Sequence, residues 1–559
     1  MGFNPTDDGF TLAYTRRILE GQIPHRDFIT IRPIGSPLLH LPVLYLGGDY
    51  TFWLSRLFVW IQFGSISWLW VNIISHLLEF PLDRTERIRV ALVTFVGTIH
   101  TFPLMAWHTI DGLFFLSLGL GLCVLRGDSA AKMFGYLLMG FAYICKQSFV
   151  LLPLATILIL KDATRIRYWI AAAIPGVIYI LFLALTGSIR DGILQLTSRR
   201  EFLTFGLVPY LNAQTSFGIL AGYFASWLVS SMRKQENIVG IYILTAGPLL
   251  ALGVALTQGT LPAFGLFGLL AGAILYGALH TSAASQTYLQ SGLICALMVL
   301  IAGWALGISL PLPIPSQLLI AIILFVLYLL ARKSLSPNFV IRGAVMVLIV
   351  SWASSLSVGY STPALGAGLI VCALLALANH SFRLTQMKTL SPILWLLTFT
   401  TLASFAIARA EYIYRDLSKS HLTQPVSQVL PGFKMIQTNP NTFEYIKDLN
   451  KAVELAKRNK MSYIILPDFA CYWVRSPDLN PAPIDWPYRE ELTRQELFDR
   501  VTRSLYNGRS HRLLIVSKVD TAAVPYRFRA ISTHYYPIVD YIRKRFKKIG
   551  ETALFDLYQ

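Results

Sequence analysis

The feature that most constrains this chain is a succession of apolar runs between residues 52 and 409. A helix needs about 20 mainly apolar residues to cross the roughly 30 Å of hydrocarbon in a bilayer. Of the 559 residues, 54% are hydrophobic and 14% are charged, and the mean hydropathy is +0.54. Helices satisfy their own backbone hydrogen bonds inside a membrane. The sequence therefore predicts a polytopic α-helical membrane protein.

We expect twelve crossings, of which the last four follow residue 309 and end near residue 409. The first eight fall at residues 52–78, 89–106, 111–126, 168–186, 209–232, 239–257, 262–281 and 289–309. Two shorter apolar stretches between Lys132 and Lys161 meet at Lys146. Because each is shorter than a full span, they predict a tight or re-entrant hairpin, and the bundle then holds about 12 to 14 segments.

Basic residues orient the predicted spans, because they fall in every second loop. These residues are Arg84, Arg87, Arg89, Arg126, Lys132, Lys161, Arg165, Arg167, Arg233, Lys234, Arg332, Lys333, Arg342, Arg383 and Lys388. Loops rich in Lys and Arg stay in the cytoplasm. Residues 1–51 and 410–559 are therefore expected on the non-cytoplasmic side. Most of the net charge of +18 comes from these inner loops, so no nucleic-acid partner is expected.

Residues 410–559 have a mixed composition and suffice for one small folded domain. Helical spacing is found at 442–458, near 490–506 and at 538–546, and short buried-strand patterns at Tyr463–Leu466 and Leu513–Val516. The proline-rich stretch 476–487 is typical of a loop. We predict a small extracytoplasmic α/β domain with a partial open sheet.

Residues 1–51 carry too many charges for a signal peptide or a membrane span. A charged N-terminus does not readily cross a bilayer without a preceding signal or span. We therefore expect an upstream first transmembrane helix that this sequence lacks. The segment also contains an adjacent acidic pair, Asp7 and Asp8. Such carboxylates can serve as a general base, as metal ligands or as a helix N-cap.

The acidic pair belongs to a longer pattern at the same end of the chain. It continues with an arginine, a small-Gly-x-x-Pro turn and an R-D-F step, at Arg16, Gly21, Pro24 and Arg26–Asp27–Phe28. An outer-loop acid, Asp111, a hairpin lysine, Lys146, and a strand end at Ile464–Asp468 add to it. The chain thereby resembles the GT-C superfamily of polyprenyl-phosphate-sugar-dependent glycosyltransferases, in its protein-mannosyltransferase-like and lipid A aminoarabinose-transferase-like branch. The missing first helix departs from that family.

The resemblance implies an inverting transfer of a sugar from a polyprenyl phosphate to an acceptor hydroxyl on the outer face of a membrane, most simply a bacterial inner membrane. The acceptor would be a lipid, a glycan or a protein, and membrane lipids would surround the bundle. Asp7 would be the base, and Asp8 would orient the acceptor or, with Asp7, hold a divalent cation such as Mg²⁺ or Mn²⁺. No cofactor is implied with certainty.

Other residues each keep more than one interpretation. Asp111 is a second acidic site or an acid that interacts favourably with a helix start. Lys146 binds the donor phosphate or extends to the outer surface. The outer-loop pair Arg199–Arg200 engages phosphate or lipid headgroups. Arg16 binds Asp8 or the donor phosphate, or anchors an amphipathic helix at the membrane surface.

Three other classes share parts of this pattern. A transporter would also have many spans, but it typically shows an internal repeat or charges deep in several helices. A lipid-linked-glycan ligase or polymerase uses the same donor class, but usually has a dominant long outer loop. A noncatalytic scaffold with a sensing tail has no specific feature in its favour. The sequence favours the transferase.

Overall fold

A computed structural model describes most of the chain. The described residues are 2–77, 82–198, 213–233, 238–257, 261–280, 289, 292–297, 299–301, 326, 337–356, 363–384 and 391–559. Arg199 and Arg200 lie outside them, and so does most of the predicted crossing at 289–309. The count of about 12 to 14 segments therefore stays a prediction.

Helices dominate the first three quarters of the chain. The N-terminal segment contains α1 (Phe10–Leu19), α2 (Gly35–Leu39) and α3 (Leu41–Gly47). The apolar region contains α4 (Thr51–Leu77), α5 (Arg84–Thr101), α6 (His108–Gly121), α7 (Ser129–Cys145), α8 (Leu151–Ile159), α9 (Ile166–Leu185), α10 (Ile189–Leu196), α11 (Ala213–Arg233), α12 (Ile238–Leu256), α13 (Leu261–His280), α14 (Pro337–Ser355), α15 (Ala367–Leu384) and α16 (Ser391–Glu411).

Three helical stretches within the described residues are long and apolar enough to cross a membrane: Leu41–Leu77, His108–Arg126 and Ile166–Leu185. Shorter apolar helices, such as Ser129–Cys145 and Ala367–Leu377, accompany them. These helices indicate a membrane protein and confirm the coarse prediction of a helical bundle. Local sequence also sets where helices begin. Asp83 and Glu86 form a capping box at α5, which satisfies backbone N–H groups that the first helical turn leaves free.

The short apolar stretches around Lys146 form two helices joined by a tight tip. Helix α7 ends at Cys145, a single 3₁₀ turn covers Gln147–Phe149, and α8 runs for only 9 residues. The Ser148 hydroxyl donates to the carbonyl of Ala353, and Gln147 Nε2 donates to the carbonyl of Ile31 at 2.5 Å. The tip therefore packs against the end of α14 and against the N-terminal segment.

The C-terminal region, residues 410–559, folds around a mixed four-stranded sheet of order β3-β4-β6-β5. Its strands are β3 (Ser462–Leu466), β4 (Arg512–Ser517), β5 (Lys548–Glu551) and β6 (Phe555–Tyr558), and a small ladder pairs β1 (Gln424–Pro425) with β2 (Gln437–Thr438). The helices are α17 (Pro440–Arg458), α18 (Ala470–Arg475), α19 (Gln495–Asn507) and α20 (Pro537–Arg545). The predicted elements of this region are all present, and β1, β2, β5, β6 and α18 are additional.

Strands β3 and β4 are parallel and buried on both faces. Ile464 packs on the side of α19 and α20, whereas Ile465 packs on the side of α17. Side chains alternate between the two faces of a strand, so each buried face needs its own cover of helices. The C-terminal region is accordingly a three-layer arrangement with helices on both sides of the sheet.

Residues 2–15 of the N-terminal segment, which include the acidic pair, are buried between the helical bundle and the C-terminal region. Phe3, Phe10 and Tyr14 share one hydrophobic core with Phe52 of α4 and with Trp473 of α18. The segment is therefore polar in sequence yet interior in position, because protein surrounds it on several sides. A close backbone approach occurs at Gly9, which has φ +90° and precedes α1.

We expect Gly9→Ala to destabilise the protein by about 2 to 4 kcal/mol. A Cβ at Gly9 would lie 2.8 Å from the Cα of Cys471, in addition to the strain of its left-handed φ. Gly21 has φ +80° but open space around it, so Gly21→Ala is a matched control for backbone strain alone, about 1 kcal/mol. Chemical unfolding of the protein in micelles compares the two variants. Equal losses of unfolding free energy in the two variants would contradict a destabilising contact between the new Cβ and Cys471.

Candidate functional site

The acidic pair lies in a tight turn just before α1. The Asn4 side chain accepts hydrogen bonds from the backbone N–H groups of Thr6 and Asp7, and Asp8 Oδ2 accepts from the backbone N–H of Asn4 at 2.9 Å. The N-cap of α1 is Gly9, with no side-chain cap hydrogen bond. The helix-cap interpretation of Asp7 and Asp8 is therefore wrong.

Each carboxylate is paired with an arginine from a different part of the chain. Asp8 accepts from Nη2 of Arg56, in α4, at 2.9 Å. Asp7 Oδ2 accepts from the Tyr414 hydroxyl at 2.7 Å and lies 3.0 Å from Nη1 of Arg415, both just after α16. Burial raises the pKa of Asp8, and the charge of Arg56 opposes that shift. The acidic pair thus joins the N-terminal segment to the bundle and to the start of the C-terminal region.

The two ion pairs differ in their access to solvent. The side chains of Asp8 and Arg56 are both nearly fully buried, whereas the Arg415 side chain is 41% exposed against 9% for Asp7. A buried pair is fixed by the cost of separating it, but an exposed arginine can leave its partner at little cost. Asp8 is therefore fixed in its ion pair with Arg56, whereas Asp7 can lose its contact with Arg415 at little cost.

The arrangement does not suit a divalent cation at Asp7 and Asp8. Hard cations need several oxygen ligands, and here Oδ2 of each carboxylate is already in an ion pair with an arginine, so a cation at this pair would have to displace or face a guanidinium group. Among the described residues, no group of three or more His, Cys, Asp or Glu side chains could hold a metal ion. The chemistry of the pair is therefore derived without a metal.

A third acid, Asp468, lies at the end of β3 and faces the same region. It is 1% exposed, and it accepts hydrogen bonds from the hydroxyls of Thr521 and Tyr536. The pKa of Asp468 is raised to about 7, mainly by burial, and the charges of Asp520 and Asp7 contribute in the same direction. The strand end noted in the sequence thus brings an easily protonated carboxyl towards the acidic pair.

Asp111 lies in the first turn of α6 and is fully buried. Its carboxylate accepts from the Ser36 hydroxyl and from Gln62 Nε2, the latter at 2.8 Å, and lies 3.1 Å from His40 Nε2. These partners come from α2, from the α2–α3 junction and from α4. Asp111 therefore ties the N-terminal segment to the bundle through side chains, and the structure brings it to these groups rather than to Asp7 and Asp8.

Lys146 forms a basic cluster with Arg32 and His108. Phe10 connects two of them, since Arg32 lies 5.4 Å from its ring centroid and His108 packs edge-on against it, and the charges of Arg32 and Lys146 both act on His108. Lys146 is 5% exposed, and its Nζ donates to the carbonyl of Ser354 at 3.1 Å. It does not extend to the surface. Of these three residues, only Arg32 forms an ion pair with an acidic side chain, that of Glu491, within the described part of the chain.

Arg16 and the R-D-F step contribute to the packing around this site. Arg16 pairs with Glu20 at 2.6 Å rather than with Asp8, so the predicted contact with Asp8 is absent here. Its neighbour Arg17 is buried and pairs with Asp485 of the C-terminal region. Arg26 and Asp27 pair with each other at the surface, and Phe28 is buried. Helix α1 is accordingly covered by protein, and membrane anchoring does not explain its basic residues.

Several site residues were missed in the sequence: Arg56, Tyr414, Arg415, Arg32 and His108. A signal existed for Arg56, because an arginine inside an apolar run is expensive and usually has a specific partner. No comparable signal marked Tyr414 and Arg415, which follow the last apolar run. Their role depends on a contact with Asp7 more than four hundred residues earlier in the chain.

Comparisons of this chain with known protein families, with curated proteins and with solved structures gave no match. The functional argument therefore rests on the residues and on their geometry.

Proposed function

We propose that this protein is a membrane glycosyltransferase that moves a sugar, with inversion, from a polyprenyl-phosphate donor to an acceptor hydroxyl. The observation that carries the proposal is that a carboxylate with an exposed partner and a cluster of basic side chains both lie close to the start of α1. Asp7 has an exposed arginine partner, and two members of the basic cluster, Arg32 and His108, contact the ring of Phe10, which opens α1 just after the acidic turn. A releasable carboxylate beside buried basic side chains suits a reaction that takes a proton and releases a phosphate.

Asp7 is the base in this proposal. The acceptor hydroxyl oxygen attacks the anomeric carbon of the donor, the bond from that carbon to the phosphate oxygen breaks, and the polyprenyl phosphate leaves with the bonding electrons. The acceptor proton passes to Asp7. Among the described residues, both contacts of the Asp7 carboxylate use Oδ2, so Oδ1 is the oxygen assigned to receive the proton. Asp8 stays bound to Arg56 and fixes the turn.

The basic cluster stabilises the departing phosphate. Cations placed where negative charge develops lower the barrier most strongly in a water-poor site. Lys146 and His108 are nearly fully buried, and His108 Nδ1 has no hydrogen-bond partner among the described residues. Buried polar groups are normally hydrogen-bonded, so such a donor set is suited to an anionic ligand. Arg415 supplies a further cation when it leaves Asp7.

The same proposal includes the predicted topology: a polytopic bundle with the N-terminal segment and the C-terminal region together outside the cytoplasm. Ion pairs between Arg17 and Asp485 and between Arg32 and Glu491 support one common side. Two of the basic loops also meet, because Lys132, near the start of α7, forms an ion pair at 2.8 Å with Asp162, just after α8. The positive-inside rule then makes that loop side cytoplasmic. A bacterial inner membrane fits this arrangement.

The test is sugar transfer by purified protein in vesicles, supplied with radiolabelled polyprenyl-phosphate sugars and a panel of acceptors. We expect Asp7→Asn to lower kcat by about 100-fold or more, because it removes the proton acceptor. Asp49→Asn, at an exposed position of the same segment, is the matched control and should be unchanged. Size-exclusion elution and thermal unfolding check that both variants are folded.

Near-normal transfer by a folded Asp7→Asn variant would remove Asp7 as the base. No transfer by the wild-type protein from any donor would contradict the whole proposal and would favour a transporter.

We expect Lys146→Ala to raise the KM for the donor by about tenfold or more, because a charged hydrogen bond to phosphate is lost. Lys161→Ala, an exposed lysine beyond the other end of α8, is the control and should leave that KM unchanged. Initial rates over a range of donor concentrations measure both. A donor KM unaffected by Lys146→Ala would assign Lys146 a packing role only.

A further inference from the structure

Three aromatic rings form a row on the loops of the C-terminal region. The ring centroids of Trp486 and Tyr488 are 5.8 Å apart with planes at 20°, and those of Tyr488 and Tyr535 are 6.1 Å apart with planes at 7°. Tyr536 meets Tyr488 edge-on and supports the row from one side. The three nearly parallel rings, Trp486, Tyr488 and Tyr535, are called the aromatic row below.

The aromatic row runs from the half-buried Trp486 to the surface. At its inner end Trp486 contacts the ring of Phe10, 5.8 Å away, at the start of α1. At its outer end the Tyr535 side chain is 48% exposed. Packing of the core does not require an exposed tyrosine that is stacked parallel to its neighbour. The row therefore leads from solvent towards the segment that carries Asp7.

Its place in the sheet is one where ligands commonly bind. Tyr488 lies in the long connection that follows β3, and Tyr535 lies in the connection that follows β4. In open sheets with parallel strands, ligands bind beyond the carboxyl ends of those strands. Asp468, at the end of β3, is bonded to Tyr536 and feels the charge of Asp7. The aromatic row and the proposed base are thus at the same edge.

The chemistry of the row suits sugar rings. A pyranose presents C–H groups on its faces and hydroxyls on its rim, so it stacks on an aromatic face while its rim forms hydrogen bonds. Arg489 and His534 lie in contact beside Tyr535, at the exposed end. At the inner end, the buried Nε1 atom of Trp486 has no hydrogen-bond partner among the described residues. The row therefore combines apolar faces with polar groups at both ends.

We propose that the aromatic row binds the saccharide chain of a glycan acceptor and directs its end towards Asp7. The inference rests on the proposed function, because it identifies that acceptor as a glycan. The binding step itself requires neither a donor nor turnover. It can therefore be measured separately from transfer.

The experiment uses the full chain in lipid nanodiscs, because the sugar headgroup of a maltoside detergent would compete. Linear pentasaccharides of mannose, glucose and N-acetylglucosamine are titrated without donor, and saturation-transfer NMR gives their affinities. We expect at least one to bind, and Tyr535→Ala to weaken it by about threefold to tenfold, through loss of one stacking face. Tyr535→Phe keeps the ring and should bind within about twofold of the wild type.

Tyr506→Ala is the matched control, since Tyr506 is a similarly exposed tyrosine near the end of α19, on which Arg509 stacks. It should bind as the wild type does. Tyr488→Leu keeps apolar volume but removes the middle aromatic face, so it tests the row even if Tyr535→Ala does not fold.

Absence of binding by every pentasaccharide, or equal binding by both row variants and the wild type, would overturn the inference. Binding that depends on the row in a protein that transfers no sugar would instead reject the proposed function and keep the saccharide site.

Discussion

Moving a carboxylate out of water costs several kcal/mol of free energy unless a partner compensates for the lost hydration. Asp8 is such a buried carboxylate, and its partner is Arg56. Arg56 lies inside an apolar helix, so it too needs a partner there. The pair therefore holds the acidic turn at one place on the bundle. Removing either member would leave an unpaired buried charge, which is worse than removing both.

With the turn held, the C-terminal region can close over it. Asp416 accepts from the backbone N–H of Phe3 at 2.8 Å, and Arg17 and Arg32 reach acids of the same region. Asp7 then lies at the meeting point of three parts of the chain, with one exposed arginine as its partner. The proposed chemistry follows from that difference between neighbours: Asp8 stabilises the turn, and Asp7 is free to exchange partners.

Much of the fold could be predicted because it depends on local pattern. Apolar runs predicted the helices, the two short stretches around Lys146 predicted the hairpin, and short continuous apolar runs predicted β3 and β4. Contacts between distant parts could not be read in this way. The partners of Asp7, Asp111 and Lys146 depend on how the helices and the sheet pack. Strand β5 was missed because it is a short edge strand, Lys548–Glu551, that is mostly exposed and polar, whereas β6, Phe555–Tyr558, is buried between β4 and β5 but is only four residues long.

A double-mutant cycle on Asp8 and Arg56 tests this account most directly. Asp8→Asn, Arg56→Gln and the double variant are unfolded with denaturant in micelles, and the free energies of unfolding are compared. The account predicts a coupling energy of about 2 kcal/mol or more, with the double variant more stable than the two single losses would give. Losses that add to within about 0.5 kcal/mol would contradict it, because the acidic turn would then be held by something other than this ion pair.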